Sequence, residues 1–141
     1  MVLSEDQVVE IIRGFIEELS LEIPVKEIIL FGSYAHGNPK EYSDIDLAVI
    51  SDWFEGQPKI ENMQYLSRVA AAYNSLIEAL PFTEEEYRNL DKRSFLASIV
   101  KTGRNSSELI GQLAQLRSLI DLYNKHYIFR RFSAPGEIRP S

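Results

Sequence analysis

Two short apolar runs, Val25 to Phe31 and Ile45 to Ile50, bracket the polar segment from Gly32 to Asp44. Each run is rich in β-branched residues and too short for an ordinary helix, so both read as buried strands. The first ends at Gly32-Ser33, which signals a tight turn, and Asn38-Pro39 marks a loop before the second begins. Helical periodicity lies on either side. Ser4 with Gln7 forms a capping-box pattern, and Val8, Ile11, Ile12, Phe15, Ile16 and Leu19 recur at helical spacing, which predicts a helix over about residues 5 to 20. Met63, Leu66, Val69, Ala70 and Tyr73 make a second helical face.

Leu76 to Phe82 is a third strand-like run, interrupted only by Glu78. Thr83 with Glu86 caps a short helix, and Phe95, Leu96, Ile99 and Val100 belong to another that ends near Gly103. The order α, β, β, α, β, α predicts an α/β fold, a small mixed β-sheet flanked by helices. From Ser106 onward Leu109, Leu113, Leu116, Ile120, Tyr123 and Tyr127 alternate by four and three, the spacing of an extra C-terminal helix packed along a narrow seam. Three segments result: a domain over 1–104, a helix over 105–127, and a basic extended tail over 128–141. The helix packs on its own domain, or serves a homodimer or partner seam through residues 106–127.

Composition narrows the function classes. At 141 residues and 45% hydrophobic the chain has material for one compact domain. A net charge of −6 argues against direct nucleic-acid binding or an anionic membrane surface, both of which need a basic field. There is no cysteine, and two histidines, His36 and His126, are too few for a typical zinc site. Any metal must therefore be held by oxygen. No apolar run approaches the roughly 20 residues of a membrane span, and the first residues carry acids where a signal peptide carries bases, so a cytoplasmic protein is expected.

The chemistry concentrates in Phe31-Gly32-Ser33-Tyr34-Ala35-His36-Gly37 and Tyr42-Ser43-Asp44-Ile45-Asp46-Leu47. A Gly-Ser at a strand end that opens a helix turns free backbone N–H groups toward an anion, and the missing Cβ of Gly32 lets a phosphate approach closely. Ser33 adds a hydroxyl. Asp44 and Asp46 stand at the entrance of the second strand, where residues i and i+2 project to one face about 7 Å apart. Such a pair repels itself unless a cation lies between, and Mg²⁺ prefers carboxylate, phosphate and water oxygens.

Gly32-Ser33, ten intervening residues and then Asp44-x-Asp46 resemble the signature of the DNA polymerase beta-like nucleotidyltransferase superfamily. The similarity runs from about Val25 to Gly103 and is nearest to the minimal nucleotidyltransferase branch. The resemblance implies that Asp44 and Asp46 hold two Mg²⁺ ions, with Mn²⁺ as a substitute. It also implies that a third carboxylate on a later strand completes the metal site and helps deprotonate the attacking hydroxyl. Glu78, the one acid within Leu76-Ile77-Glu78-Ala79-Leu80, fits that position, with Asp52 as the weaker substitute. Gly32, Ser33 and His36 are the expected nucleotide-binding residues. His36 stands where the family often has Arg, which replaces a fixed charge by a titratable one. Trp53 and Phe54, just beyond the strand, are candidates for stacking on a base, though loop packing is the simpler role for them.

The resemblance further implies transfer of AMP from ATP to an acceptor hydroxyl, on a protein partner such as a HEPN-family toxin of a toxin-antitoxin pair. Two alternatives stand beside it. One is an antibiotic-type nucleotidyltransferase acting on a small molecule, for which residues 104–141 are a short acceptor domain. The other is a catalytically idle module that only binds its partner, against which three costly convergent carboxylates argue.

Overall fold

The computed structural model of the chain describes residues 2–131, with side chains as far as residue 126. Helix α1 (Glu5–Ser20) starts where Ser4 and Gln7 cap each other, the Gln7 N–H donating to Ser4 Oγ at 3.2 Å and the Ser4 N–H to Gln7 Oε1 at 2.8 Å. Its buried stripe is Val8, Val9, Ile12, Phe15 and Leu19. Strands β1 (Glu27–Phe31) and β2 (Ile45–Ile50) follow, then helix α2 (Lys59–Tyr73) and strand β3 (Ile77–Phe82). A reciprocal cap between Thr83 and Glu86 opens the short α3 (Glu84–Arg88), and Ser94 caps α4 (Phe95–Thr102). The two-residue β4 (Arg104–Asn105) leads into the long α5 (Ser106–Arg131).

The strands form one mixed sheet in the order β3-β2-β1-β4. β1 runs antiparallel to both β2 and β4, whereas β2 and β3 are parallel. Period-two alternation sorts their side chains onto two faces. On one face Ile29, Ala48, Ile50 and Phe82 form a buried cluster with Leu96 and Ile99 of α4. The alternate residues Ile28, Leu30, Leu47 and Val49 point to the other face, where α2 packs on β3 and α1 on α2. β3 is an edge strand, and Pro81 suits it because a missing N–H is tolerated at a margin.

The α/β fold expected from the sequence is the one observed, with three local differences. The buried stripe of α2 is Asn62, Leu66 and Ala70, whereas Met63 and Tyr73, expected on that face, are 37% and 39% exposed. Asn62 can be buried because its Nδ2 donates to the Phe54 carbonyl at 2.8 Å. Strand β4 is too short and too polar to show a periodic signal. The segment after Gly32-Ser33, expected to open a helix, is a succession of tight turns that stops at Gly37 and Pro39.

Two compact units divide the chain. The first reaches Ile110; the second begins at Gly111 and contains the rest of α5. Helix α5 continues to Arg131, past the boundary at 127 drawn from the sequence. Of the expected basic tail, residues 132–141 lie outside the described residues. Among the described residues no helix is long and apolar enough to cross a membrane.

Candidate active site

Three strand ends meet at one margin of the sheet. β1 runs up to it and stops at Phe31, and β2 and β3 start from it. In register, Asp46 lies between Phe31 of β1 and Glu78 of β3. Cross-strand partners project to the same face, so the Asp46 and Glu78 carboxylates stand on the α4 side of the sheet, above the cluster that includes Ala48 and Leu80. Asp44, two residues earlier on β2's extended lead-in, is exposed at the same margin. The three carboxylates expected from the sequence are therefore gathered at one place.

Their mutual influence is visible in their acidities. Asp46 is pushed up to about 6, first by burial and then by the negative charges of Glu78 and Asp44. Glu78 is also raised, by partial burial first and then by its close approach to Asp44. Among the described residues no ion pair engages any of the three. The excess negative charge is thus built in and left for something else to neutralise.

Gly32 turns the chain from β1 toward this charge. Its φ of +74° is a left-handed conformation that favours glycine, and a Cβ there would collide with Asp46 Oδ2. Beyond it the N–H groups of Ala35 and His36 both donate to the Gly32 carbonyl, at 3.1 and 3.2 Å, and the Asn38 N–H donates to the Ser33 carbonyl at 3.2 Å. The Ser33 and Tyr34 N–H groups have no acceptor among the described residues. A turn with two free donors beside a glycine is a small anion cradle. His36 is exposed in the same turn.

Tyr34 ties the turn to the start of the chain: it is buried, and its hydroxyl accepts the Leu3 N–H at 3.2 Å. Nothing in its sequence pattern marks that role.

The two other candidates are placed elsewhere. Asp52 opens a 3₁₀ turn, Asp52–Phe54, at the far end of β2, roughly 20 Å of strand from Asp46. It cannot stand in for Glu78. In the same turn Phe54 is buried and Trp53 lies against Tyr65 with ring centroids 4.8 Å apart. Both aromatics pack the loop, the role expected as the simpler one.

Further along β3, from Leu80 to Phe82, a recess of about 460 Å³ opens on the α4 side; Glu78, two residues before Leu80, is not part of its lining. Leu80, Phe82, Phe95 and Leu96 form its apolar wall, and Lys59, Asn89 and Ser94 supply polar groups. Phe95 also meets Phe31 edge to face at 5.8 Å, which links this wall to the strand that ends at Gly32.

A family model described as "Nucleotidyltransferase domain" matches residues 9–105. The chain belongs to this family. As a nucleotidyltransferase it has relatives in Methanocaldococcus jannaschii. "Putative protein adenylyltransferase MJ0141" is 28% identical over 99 residues, covering 69% of this chain and 96% of that protein. "Putative protein adenylyltransferase MJ0604" is 31% identical over 84 residues, covering 57% and 76%. A crystal structure described as a putative nucleotidyltransferase from Sulfolobus solfataricus shares the fold. It has a TM-score of 0.50 and 21% identity, and the match covers 60% of this chain and 74% of that one. The enzyme class expected from Gly32, Ser33, Asp44 and Asp46 is therefore the class to which the chain is assigned.

Divalent metal is the ion such a charge cluster suits. Among the described residues no three acidic or histidine side chains are grouped tightly enough to hold an ion unaided. Mg²⁺ does not need such a cage, because it keeps several waters and takes one or two carboxylates plus substrate phosphates. The elevated Asp46, flanked by Asp44 and Glu78 without a cationic partner, fits that pattern of partial protein ligation.

Proposed function

We propose that this nucleotidyltransferase transfers AMP from ATP to a hydroxyl on a protein partner, with Asp44, Asp46 and Glu78 holding two Mg²⁺ ions. The observation that carries the reading is the register: Phe31, Asp46 and Glu78 are partners across the adjacent strands β1, β2 and β3, and Gly32 follows directly on Phe31 at the same margin. Such an order suits in-line displacement, with the leaving group over β1, the α-phosphorus over β2 and the nucleophile over β3. Gly32 and the free Ser33 and Tyr34 N–H groups would hold the β- and γ-phosphates, helped by the Ser33 hydroxyl and by His36. Bound at the carboxylates, the metal ions would neutralise the triphosphate and make the acceptor hydroxyl more acidic.

Glu78 is placed to receive the acceptor's proton, because it lies on the β3 side and already binds a proton more tightly than an ordinary glutamate. The acceptor oxygen forms a bond to the α-phosphorus, the bond from that phosphorus to the β-phosphate oxygen breaks, and pyrophosphate leaves. The recess that starts at Leu80, two residues along β3 from Glu78, has the volume to admit a side chain of another protein. A HEPN-family toxin is the proposed partner, in the manner of the family resemblance. Within the second unit, Leu116, Leu119, Ile120 and Leu122 are exposed on α5, an apolar surface of the kind a partner or a second copy would cover.

The test is incubation with labelled ATP and Mg²⁺, together with a co-purified partner or a panel of small hydroxyl acceptors, with Asp44→Asn and Glu78→Gln as controls. Label on the partner that both substitutions abolish is the expected result. Silencing of the partner without label would replace the enzyme reading by stoichiometric binding. Transfer to a small acceptor alone would make the chain an antibiotic-type enzyme. Normal transfer by both variants would refute the site.

A further inference from the structure

We infer that Tyr42 is the platform on which the base of the nucleoside triphosphate stacks, an inference that rests on the nucleotide-transfer reading above. Tyr42 is 88% exposed, more than any other large apolar side chain among the described residues. A single exposed ring is ordinary on a protein surface. Here, however, the other tyrosines of the compact unit all serve the fold. Tyr34 anchors Leu3, the Tyr65 hydroxyl donates to Glu22 at 2.9 Å, Tyr73 packs on Phe15, and Tyr87 packs on the α4 cluster. Tyr42 has neither a hydrogen bond nor a ring contact among the described residues.

Its setting is a closed turn just before Asp44. The Lys40 N–H donates to Ser43 Oγ at 2.8 Å and the Ser43 N–H donates to the Lys40 carbonyl at 3.0 Å, closing a turn with Tyr42 near its tip. Asp44 follows two residues later, so its Cα is at most about 7 Å from that of Tyr42. A nucleoside joined through its 5′ oxygen to a phosphorus held at Asp44 and Asp46 has its base within reach of a ring so placed. The turn fixes the backbone beneath the ring, so the freedom lost when a base lies on it is that of the side chain alone. Stacking reads the π-face and not the base edge, so the larger purine face is favoured over pyrimidine.

The experiment measures binding by titration calorimetry with the full chain in Mg²⁺, using ATP, CTP and inorganic tripolyphosphate as probes. Tyr42→Ala is expected to weaken ATP by roughly tenfold or more and to shrink the preference for ATP over CTP. Tripolyphosphate, which has no base, should bind the variant as it binds the wild type, and Tyr42→Phe should keep ATP affinity within about twofold. Unchanged ATP affinity in Tyr42→Ala overturns the inference. So does an equal loss for ATP and tripolyphosphate, which would mean that the ring supports the phosphate turn. A loss in Tyr42→Phe as large as in Tyr42→Ala would assign the contact to the hydroxyl and not to the face. If the wild type binds tripolyphosphate but not ATP better, only the stacking idea fails; if it binds neither, the nucleotide-transfer reading fails with it.

Discussion

Asp46 of β2 and Glu78 of β3 are direct partners in a parallel ladder, so two acids are held side by side by main-chain pairing and not by any counter-charge. Burial first, and then the charges of Glu78 and Asp44, keep the Asp46 carboxyl protonated up to about pH 6. Native folding at neutral pH therefore carries an electrostatic load at this one position.

Removing that load should separate stability from activity. Asp46→Asn is expected to abolish transfer, by at least about a thousandfold, while raising the stability of the metal-free chain by about 1 kcal/mol, a figure discounted for the solvent that reaches the carboxylate. That corresponds to a melting temperature higher by roughly 3–5 °C. Thermal melts in the presence of a chelator, run beside the transfer assay, check both halves.

Acidity gives a second expectation. The Asp46 carboxyl holds its proton more tightly in the folded chain, near pH 6, than its ordinary value of 3.8. Its contribution to stability is therefore full below pH about 4 and is lost as pH rises through about 6. Metal binding has the opposite slope, since the cation competes with that proton. Mn²⁺ affinity should climb between pH 5 and about 6.5 and then level off, with uptake of the ion releasing protons to the buffer. Glu78→Gln should move the break to lower pH, because Glu78 is one of the charges that raise Asp46. A flat profile would dismiss Asp46 as a ligand.

Gly32→Ala meets two obstacles at once, a φ of +74° and the Asp46 carboxylate. A loss of about 1–3 kcal/mol in stability is expected, together with loss of nucleotide binding. Chemical denaturation measures the first and ATP titration the second. Gly37→Ala makes the informative comparison: it has a similar φ of +73° but open space around it, so only the backbone penalty should appear there.

Asp52→Asn should leave transfer within about twofold of wild type, since Asp52 lies roughly 20 Å of strand away from Asp46. A rate assay beside Glu78→Gln distinguishes the two acids, and a loss as deep as that of Glu78→Gln would contradict the placement of the site.

Much of this was legible in the chain itself. Strong apolar periodicity announced α1, β2 and β3 almost to the residue, because burial on one face is what both the pattern and the fold record. Asp46 and Glu78 were legible because they interrupt otherwise apolar runs, and Asp44 because it stands two residues before Asp46 at a fixed spacing from Gly32-Ser33. Local pattern was silent where the third dimension decides. Asp52 and Trp53 are near Asp46 in sequence and distant across the sheet, since a strand carries its two ends apart. Asn62 took a core position through one hydrogen bond that no periodicity encodes. The role of Tyr34 depends on Leu3, 31 residues away, and the isolation of Tyr42 is a statement about neighbours it lacks.

The closeness of Gly32 to the Asp46 carboxylate joins the proposed phosphate-binding turn to the proposed metal ligands at a single point of packing. Selection acting on a lineage with this design cannot adjust the grip on the nucleotide and the hold on the cation one at a time at that point. A larger residue at position 32 would displace the Asp46 carboxylate, and a longer acid at position 46 would crowd the turn. Changes in substrate choice are then free to accumulate only outward from this contact, along the exposed loop that carries Tyr42 and the margin beyond Glu78.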